Sequence, residues 1–224
     1  MTRLADLTWP QVGGLLLVVP LGSTEQHGPH LPLSTDADIA EALALGLASR
    51  RDDVVVAPVL AYGASGEHAG FPGTLSIGHE ALELVVVELV RSATDTWTHV
   101  LLLNGHGGNA PTLTRAVARL RDESRDVLLW SPRWGGDAHA GRTETSVQLA
   151  LDPSRVGEAR EPGAIEGLAE MMPALRRGGL RAVTDNGILG DPTGASTEEG
   201  EQLLREALDD LERTVLDWLT EEPA

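Results

Sequence analysis

The sequence predicts an α/β fold, a three-layer α/β/α arrangement with a mostly parallel central sheet. Short, β-rich apolar runs alternate with longer helical patterns along the chain of 224 residues, and no repeat or linker divides it. Alternation of this kind is typical of a parallel sheet covered by helices on both faces. A chain of this length can bury one hydrophobic core, so residues 1–224 are predicted to form a single domain.

Each element follows from its own pattern. Apolar runs rich in valine and leucine predict strands over residues 15–20, 54–60, 99–103 and 127–130. Helical periodicity predicts helices over residues 37–51, 79–97, 110–124, 144–151 and 197–219. A weaker helix precedes the last one and is closed by Gly178 and Gly179. Ser196, followed three residues later by Glu199, predicts a capping box at the start of the last helix.

The composition excludes several classes of chemistry. The chain has no cysteine, which rules out disulfides, thiolate metal sites and cysteine nucleophiles. All 17 basic residues are arginine, so a lysine Schiff base and a P-loop lysine are also excluded. A formal charge of −17 disfavours binding to nucleic acid or to anionic lipid. The hydrolytic options that remain are metal, hydroxyl and carboxylate chemistry.

The chain is predicted to be cytoplasmic and to have no membrane partner. Its longest apolar run, GLLLVVPLG at residues 14–22, is far shorter than the roughly 20 residues that a membrane span needs. The N-terminal segment MTRLADLTW lacks the basic flank and the apolar stretch of a signal peptide.

The first predicted strand runs into a loop that is rich in potential metal ligands. Two prolines keep this loop out of a helix, and alternation along an extended chain places Glu25 and His27 on the same side. Asp36 follows shortly after the loop. A structural salt bridge is the alternative interpretation of any single carboxylate–histidine pair.

Two later loops add further ligand-type side chains. NGHGGN places His106 directly after a predicted strand, although a loop histidine or an anion-binding turn would show the same pattern. DAHAGRTETS contributes Asp137, His139 and Glu144. The alternative interpretation of Glu144 is that it only stabilises the positive N-terminal end of the helix dipole. Loops that follow parallel strands converge at one edge of the sheet, so these side chains are expected to lie close together.

Carboxylates and imidazoles without thiols suit zinc, manganese or iron. Two such ions need about five or six protein ligands, which the loops can provide, and their chemistry is hydrolysis of an amide by an activated water. Catalysis by a hydroxyl group is a second possibility, since four hydroxyl side chains lie near histidines, but no G-x-S-x-G motif is present. These hydroxyl residues are Ser23, Thr24, Ser65 and Thr74.

Four motifs in this order resemble the creatininase family of metal-dependent amidohydrolases. They are GSTEQHGPHLPLSTDAD, FPGTLS, NGHGGN and HAGRTETS, and the resemblance extends from about residue 8 to the last helix. The resemblance implies a homo-oligomer and two divalent ions per chain, zinc with iron or manganese. It implies that Asp36 bridges the two ions and that His139 is the catalytic proton shuttle. The implied metal ligands are Glu25, His27, Asp36, His106 and Glu144.

The chain departs from creatininase itself at two places. Gly108 stands where creatininase has a glutamate, so Glu144 is the candidate for the missing ligand. The tryptophan–aspartate pair before the catalytic histidine is displaced, leaving Trp134 and Asp137, which argues against a creatinine-specific pocket. Asp137 is a candidate substrate-binding residue, together with Glu67 and His68 in the loop AYGASGEHAGFPGTLSIG.

That loop resembles the family branch associated with mycofactocin biosynthesis. The resemblance implies a peptidase that acts on a small modified precursor peptide and releases its C-terminal Val-Tyr-derived unit. Arg133 or Arg142 would then bind the acidic part of the precursor, although a surface role is the simpler interpretation for either. Two alternatives remain open, namely an amidohydrolase for a small cyclic amide or formamide, and a non-catalytic metal-binding module.

Overall fold

A five-stranded, wholly parallel sheet forms the centre of the molecule in a computed structural model that describes residues 1–220. Its strand order is β1-β3-β2-β4-β5. The strands are β1 (Thr2–Arg3), β2 (Leu16–Leu21), β3 (Val54–Val56), β4 (His99–Asn104) and β5 (Val127–Trp130). The central strands β2 and β4 are buried along nearly their whole length, because helices cover both faces of the sheet.

Within residues 1–220, six α-helices form the two outer layers and the rim of a cleft. They are α1 (Thr35–Arg50), α2 (Gly78–Ala93), α3 (Ala110–Asp122), α4 (Arg142–Leu151), α5 (Leu168–Gly178) and α6 (Thr197–Thr220). Helices α2 and α3 share one hydrophobic core with the sheet, and α1, α4 and α6 share the core on the opposite face. The predicted three-layer α/β/α fold is therefore confirmed. None of the helices within residues 1–220 combines the length and the hydrophobicity that crossing a bilayer requires.

The differences from the predicted elements have local causes. The strand predicted over 54–60 ends at Val56, because Pro58 has no N–H to continue the ladder, although Ala57 still donates to Val18. The helix predicted over 79–97 ends at Ala93. Trp97 extended the apparent periodicity because it is buried in the turn that leads into β4. β1 was not predicted, since two residues show no periodicity.

Only half of the predicted capping box forms at the start of α6. The N–H of Glu199 donates to Oγ of Ser196 at 3.2 Å. The N–H of Ser196 does not bond to Glu199 but to Oγ of Ser146 at 3.2 Å. The carboxylate of Glu199 instead accepts from Arg142 and from Ser146, so this helix end is joined to α4.

The path of the chain opens a crevice at the carboxyl end of the two central strands. From β2 the chain passes through α1 to β3 on one side, whereas from β4 it passes through α3 to β5 on the other. Loops that leave neighbouring strands in opposite directions leave space between them, and ligands of open α/β sheets bind at such a point. The loop after β2 and the loop after β4 both begin there.

Candidate metal centre

The loop after β2 carries two side chains into the crevice. Glu25 and His27 are fully buried, and the N–H of Glu25 donates to the carbonyl of Leu33, which closes the loop on itself. The loop ends at α1, and Asp36 lies in the first turn of that helix. The predicted proximity of Glu25, His27 and Asp36 is therefore present in the structure.

Asp36 faces a different imidazole with each of its carboxylate oxygens. Oδ1 lies 3.1 Å from Nε2 of His27, and Oδ2 lies 3.0 Å from Nδ1 of His106. His106 also approaches Glu25, since its Nε2 lies 3.3 Å from Oε2 of that residue. A carboxylate placed between two ligand-type groups has the arrangement that a bridging ligand requires.

Two glycines allow the loop after β4 to approach so closely. A Cβ atom on Gly105 would come closer than 3.0 Å to the main-chain carbonyl of Asp36, and one on Gly108 would overlap with His106 and Glu67. The absence of a side chain at these positions therefore brings His106 against the first turn of α1.

Asn104 and Asn109 hold this loop to its neighbours, and neither was among the sequence-predicted site residues. Asn104 donates to the carbonyl of His106, and Asn109 donates to the carbonyl of Gly22 and accepts from the N–H of Ala64. Both amides are buried. Their presence at the two ends of NGHGGN was the available signal.

Helix α4 supplies the third carboxylate. Oε2 of Glu144 accepts the N–H of Ala140 at 2.6 Å, which folds the side chain back over the start of its own helix. The same oxygen lies 3.8 Å from Nε2 of His27 and 4.0 Å from Nδ1 of His139. The sequence-predicted Glu144 thus lies beside His27 and Asp36 rather than on the outside of the helix.

Two further histidines border the cluster. His139 is buried and places Nδ1 at 3.9 Å from Oε1 of Glu25. His68 is also buried, and its Nε2 lies 3.0 Å from the same oxygen. Glu67 lies 3.5 Å from Nε2 of His106. The structure therefore brings together eight of the nine sequence-predicted site residues, namely Glu25, His27, Asp36, Glu67, His68, His106, His139 and Glu144.

The buried oxygens of the cluster fit divalent cations. Both carboxylate oxygens of Glu25 and Oδ2 of Asp36 are buried without a hydrogen-bond partner. Unpaired buried carboxylate oxygens are costly unless a cation or a donor satisfies them. Among residues 1–220, three sets of side chains could each hold an ion: Glu25, Asp36 and His106; His27, Asp36 and Glu144; Glu25, His27 and His139.

The pKa values reflect how tightly these groups are packed. Burial, followed by the charge of Asp36, raises the pKa of Glu25 to about 8. Burial alone would lower the pKa of His27, but Asp36, Glu144 and Glu25 raise it to about 10. Burial and the nearby charge of His27 hold the pKa of His139 well below its ordinary value. His139 is therefore neutral near pH 7.

The cluster forms the floor of a cavity of about 710 Å³. The walls above it are mostly apolar, and helix α5 provides one of them. The apolar side chains of these walls are Pro111, Ala138, Leu168, Met172, Leu175, Leu180 and Leu189. A site with ionisable groups at its floor and apolar walls is suited to an organic substrate that presents one polar bond to the floor.

Asp137 lies outside this cavity. It borders a neighbouring groove, and its Oδ2 accepts the N–H groups of Arg142 and Asp191. Arg142 itself pairs with Glu199, and Arg133 borders a separate pocket beside α6. Contact of Asp137 or of either arginine with substrate remains a prediction.

The hydroxyl groups considered as nucleophiles form hydrogen bonds within the loops. Ser65 bonds to Ser23, and both residues are fully buried. Oγ of Ser65 also lies 3.4 Å from Nε2 of His106, but Ser65 does not border the cavity. Thr24 donates to the carbonyl of Ala61, and Thr74 accepts from the N–H of Gln26. These contacts support a structural role.

Comparisons with known proteins agree with this geometry. A family model described as "Creatininase: Creatinine amidohydrolase" matches residues 5–215. The chain is 50% identical over 212 residues to the mycofactocin precursor peptide peptidase of Mycolicibacterium smegmatis, with 91% of this chain and 85% of the relative covered. It is 48% identical over 215 residues to the protein of the same name from Mycobacterium tuberculosis, with the same coverage. A solved structure described as "Creatininase Mn" superposes with a TM-score of 0.81 at 25% identity, covering 98% of this chain and 99% of that one.

Proposed function

The chain belongs to the creatininase family of hydrolases that act on C–N bonds, and on this basis we propose that it is a dinuclear metal-dependent peptidase. Its substrate is a small modified precursor peptide, from which it releases the C-terminal Val-Tyr-derived unit in mycofactocin biosynthesis. The observation that carries this proposal is the identity of about half of all aligned residues to precursor peptide peptidases, over nine-tenths of the chain.

The side chains at the cavity floor are proposed to hold two ions. Glu25, Asp36 and His106 hold one, and His27, Asp36 and Glu144 hold the other, with Asp36 shared. Oxygen and imidazole donors without thiolate favour zinc, manganese or iron. When bound, two such ions supply Lewis-acid polarisation of the scissile carbonyl and a water that is acidified near neutral pH.

His139 is proposed to transfer a proton from the attacking water to the leaving amine. Its Nε2 lies 2.8 Å from the main-chain carbonyl of Gln26, so Nε2 donates and Nδ1 is free to accept. Nδ1 faces the cluster and would take the proton released by the attacking water. The same nitrogen would then give this proton to the leaving amine, while the carbonyl of Gln26 keeps the ring in place.

The shape of the cavity supports an apolar leaving unit. Leu168, Met172 and Leu175 on α5 line the same cavity as the cluster at which the scissile bond would lie. Burying an aliphatic and aromatic dipeptide unit against such walls stabilises the complex by about 25 cal/mol for each Å² removed from water. Glu67 and His68 also line this cavity, beside His106 and Glu25 respectively, and are proposed to contact the substrate.

The decisive experiment uses metal-loaded protein and the precursor peptide, with and without modification by the upstream enzyme. We expect release of the C-terminal unit from the modified form, identified by mass spectrometry. No release from either form, together with turnover of a cyclic amide or a formamide, would reject the peptidase and favour the alternative amidohydrolase. Retained metal without hydrolysis of any amide would favour the non-catalytic binding module.

Metal content tests the ligand assignment separately. We expect about two ions per chain by elemental analysis, loss of both in Asp36→Ala and loss of mainly one in His27→Ala. Equal and independent losses in the two variants would mean that Asp36 does not bridge. Arg205→Ala, at an exposed position on α6, is the matched control and should keep both ions.

We also propose a homo-oligomer. Helix α2 packs one face on the sheet, but its outer face exposes Leu84 by 60%, Leu89 by 42% and Val85 by 39%. An apolar face of this kind is a candidate subunit interface. Light scattering coupled to size exclusion tests it, and a monomer at micromolar concentration would reject the proposal.

A further inference from the structure

Gln26 lies between two imidazoles of the cavity, and its hydrogen bonds decide where each ring carries its proton. Its Oε1 accepts the N–H of Gly28 at 2.8 Å, and its Nε2 donates to the carbonyl of Gly187 at 3.0 Å. These two bonds fix the orientation of the amide, so its NH₂ group faces Nδ1 of His68 at 3.1 Å. An amide nitrogen only donates. Nδ1 of His68 therefore accepts, and the proton of the neutral ring is on Nε2.

His139 presents an unprotonated ring nitrogen to the cluster, whereas His68 presents a protonated one. Its Nε2 lies 2.8 Å from the main-chain carbonyl of Gln26, which only accepts, and 3.2 Å from the side-chain nitrogen of Gln26, which only donates. The two hydrogens of that amide already point to Gly187 and His68 through shorter contacts, so the bond to the carbonyl decides and Nε2 of His139 carries the proton. Nδ1 therefore has a free lone pair. It faces Oε1 of Glu25 at 3.9 Å and Oε2 of Glu144 at 4.0 Å. One residue, Gln26, thus holds two neighbouring rings in defined tautomers through its side chain and its main chain.

We propose that His68 is a hydrogen-bond donor to the carbonyl oxygen of the scissile amide and that Gln26 is the positioning residue that makes it one. The assignment rests on the proposed peptidase function. Within residues 1–220, Nε2 of His68 forms no hydrogen bond, because its 3.0 Å approach to Glu25 lacks hydrogen-bonding geometry. The ring borders the cavity, so this N–H is available to a substrate.

The chemistry of amide hydrolysis requires such a donor. Negative charge develops on the carbonyl oxygen as the amide is attacked, and a donor that is already oriented stabilises this charge without reorganisation. A neutral imidazole can act in this way next to cations, because it adds no positive charge of its own. Removal of one such donor costs about 10²–10³ in kcat.

The tautomers are tested directly by nitrogen NMR of histidine-labelled, zinc-loaded protein, in which protonated and unprotonated ring nitrogens differ strongly in chemical shift. We expect the proton on Nε2 in both His68 and His139. In Gln26→Met we expect His68 to become a mixture of tautomers or to move its proton to Nδ1. A wild-type His68 that carries its proton on Nδ1 overturns the proposal, whatever the substrate.

Kinetic measurements with the modified precursor test the role of His68 as a hydrogen-bond donor. We expect His68→Leu to lower kcat by about 10²–10³ with little change in KM, and His68→Gln, which keeps an N–H donor, to recover at least tenfold of this loss. Both variants should bind as much metal as the wild type. His99→Gln, at the opposite end of β4, is the matched control and should retain wild-type kcat.

Three outcomes contradict the assignment. Equal losses in His68→Leu and His68→Gln would mean that donation is not the role of this ring. Loss of metal in either variant would make His68 a support of the metal site. A loss confined to KM would make it a ground-state contact. If the wild type cuts no peptide, the proposed function fails, and the NMR result still decides whether Gln26 sets the tautomers.

Discussion

Gly108 shows how a missing side chain can organise a site. A Cβ atom at this position would come closer than 3.0 Å to Nε2 of His106, to Oε1 of Glu67 and to the carbonyl of Ala64. Real Cβ atoms do not tolerate such contacts, so the imidazole or the loop that carries Glu67 would have to move. Gly107, the preceding residue, has no atom within 4 Å of the corresponding point.

We therefore predict that Gly108→Ala displaces His106 and weakens binding of divalent metal by about 10- to 100-fold, as loss of orienting contacts does in other metal sites. Catalytic activity at a fixed low metal concentration should fall with it. Calorimetric metal titration measures the affinity, and circular dichroism confirms that the fold is retained. Gly107→Ala is the control, and equal metal affinity of the two variants would contradict the prediction.

His30, in the loop after β2, lies outside the three sets of potential metal ligands. It is 2% exposed, Nε2 lies 2.8 Å from Oγ1 of Thr145, and Nδ1 has no hydrogen-bond partner. Burial, followed by the charges of Arg160 and His27, lowers the pKa of His30 to about 4. Between pH 6.5 and pH 4, His30 therefore binds a proton in the unfolded chain but not in the folded protein.

The stability that the neutral ring contributes is thus present above pH 6.5 and lost as the pH falls toward 4. We predict that the free energy of unfolding declines over this interval and that His30→Gln makes the decline shallower, by up to about 3 kcal/mol. Urea unfolding at a series of pH values provides the measurement. Parallel pH profiles for the two proteins would show that His30 does not titrate in this way.

At the scale of elements, α4 is positioned by α6. The two helices approach most closely at Gly200, where a Cβ atom would come closer than 3.0 Å to the carbonyl of Ser146 and to Cβ of Ala150. At the same contact, the hydroxyl of Ser146 accepts from the N–H of Ser196 and donates to the carboxylate of Glu199. Because α4 carries Glu144 in its first turn, the packing of the last helix bears on the site.

We predict that Gly200→Ala lowers the free energy of unfolding by about 1–3 kcal/mol through overpacking. The effect opposes helix propensity, which alone would stabilise the variant by about 1 kcal/mol. Chemical denaturation monitored by circular dichroism is the measurement. Glu201→Ala, at the exposed next position, is the control, and a Gly200→Ala protein more stable than the wild type would reject this packing.

The elements that the sequence predicted well are those that local pattern determines. The prediction over 127–130 coincides with β5, and the prediction over 99–103 is one residue shorter than β4. The prediction over 54–60 was too long because it followed the apolar run through Pro58, which interrupts the ladder. β1 was missed because its pairing with β3 depends on contacts distant in sequence.

The same distinction applies to the site. Its titratable residues stand in motifs whose order could be recognised, and the amides stand in the same motifs, but the contacts by which these amides arrange the site could not be predicted. Asn109 reaches the carbonyl of Gly22, 87 residues away, and Gln26 reaches Gly187, 161 residues away. Amide side chains in loops are common, and only the packed fold shows which of them connect two loops.

For the whole molecule, the buried cluster makes metal, pH and stability interdependent. Burial and then Asp36 raise the pKa of Glu25 from 4.5 to about 8. In protein stripped of metal, this carboxyl therefore contributes stability below pH 4.5 that is lost as the pH rises toward 8. A bound cation takes the place of the proton and removes this loss, and it stabilises the folded state by mass action.

We predict that added Mn²⁺ raises the melting temperature of chelator-treated protein at both pH 5 and pH 8, and that it raises it more at pH 8. Differential scanning calorimetry with matched chelated and loaded samples measures both effects. An increment from Mn²⁺ that is the same at the two pH values would show that the cluster does not exchange protons for metal.

The cluster also has a consequence for the time course of folding. Its members come from the loop after β2, the first turn of α1, the loop after β4 and the start of α4, so no short segment holds a complete set. The ions can be captured only after these segments have come together, so we expect binding to follow the main folding barrier. Metal should then leave the refolding rate nearly unchanged but lower the unfolding rate. The metal-loaded protein would therefore be kinetically stable because it unfolds slowly. Stopped-flow refolding and unfolding with and without Mn²⁺ would reveal this asymmetry, and faster refolding in the presence of the ion would instead mean that the cluster assembles early.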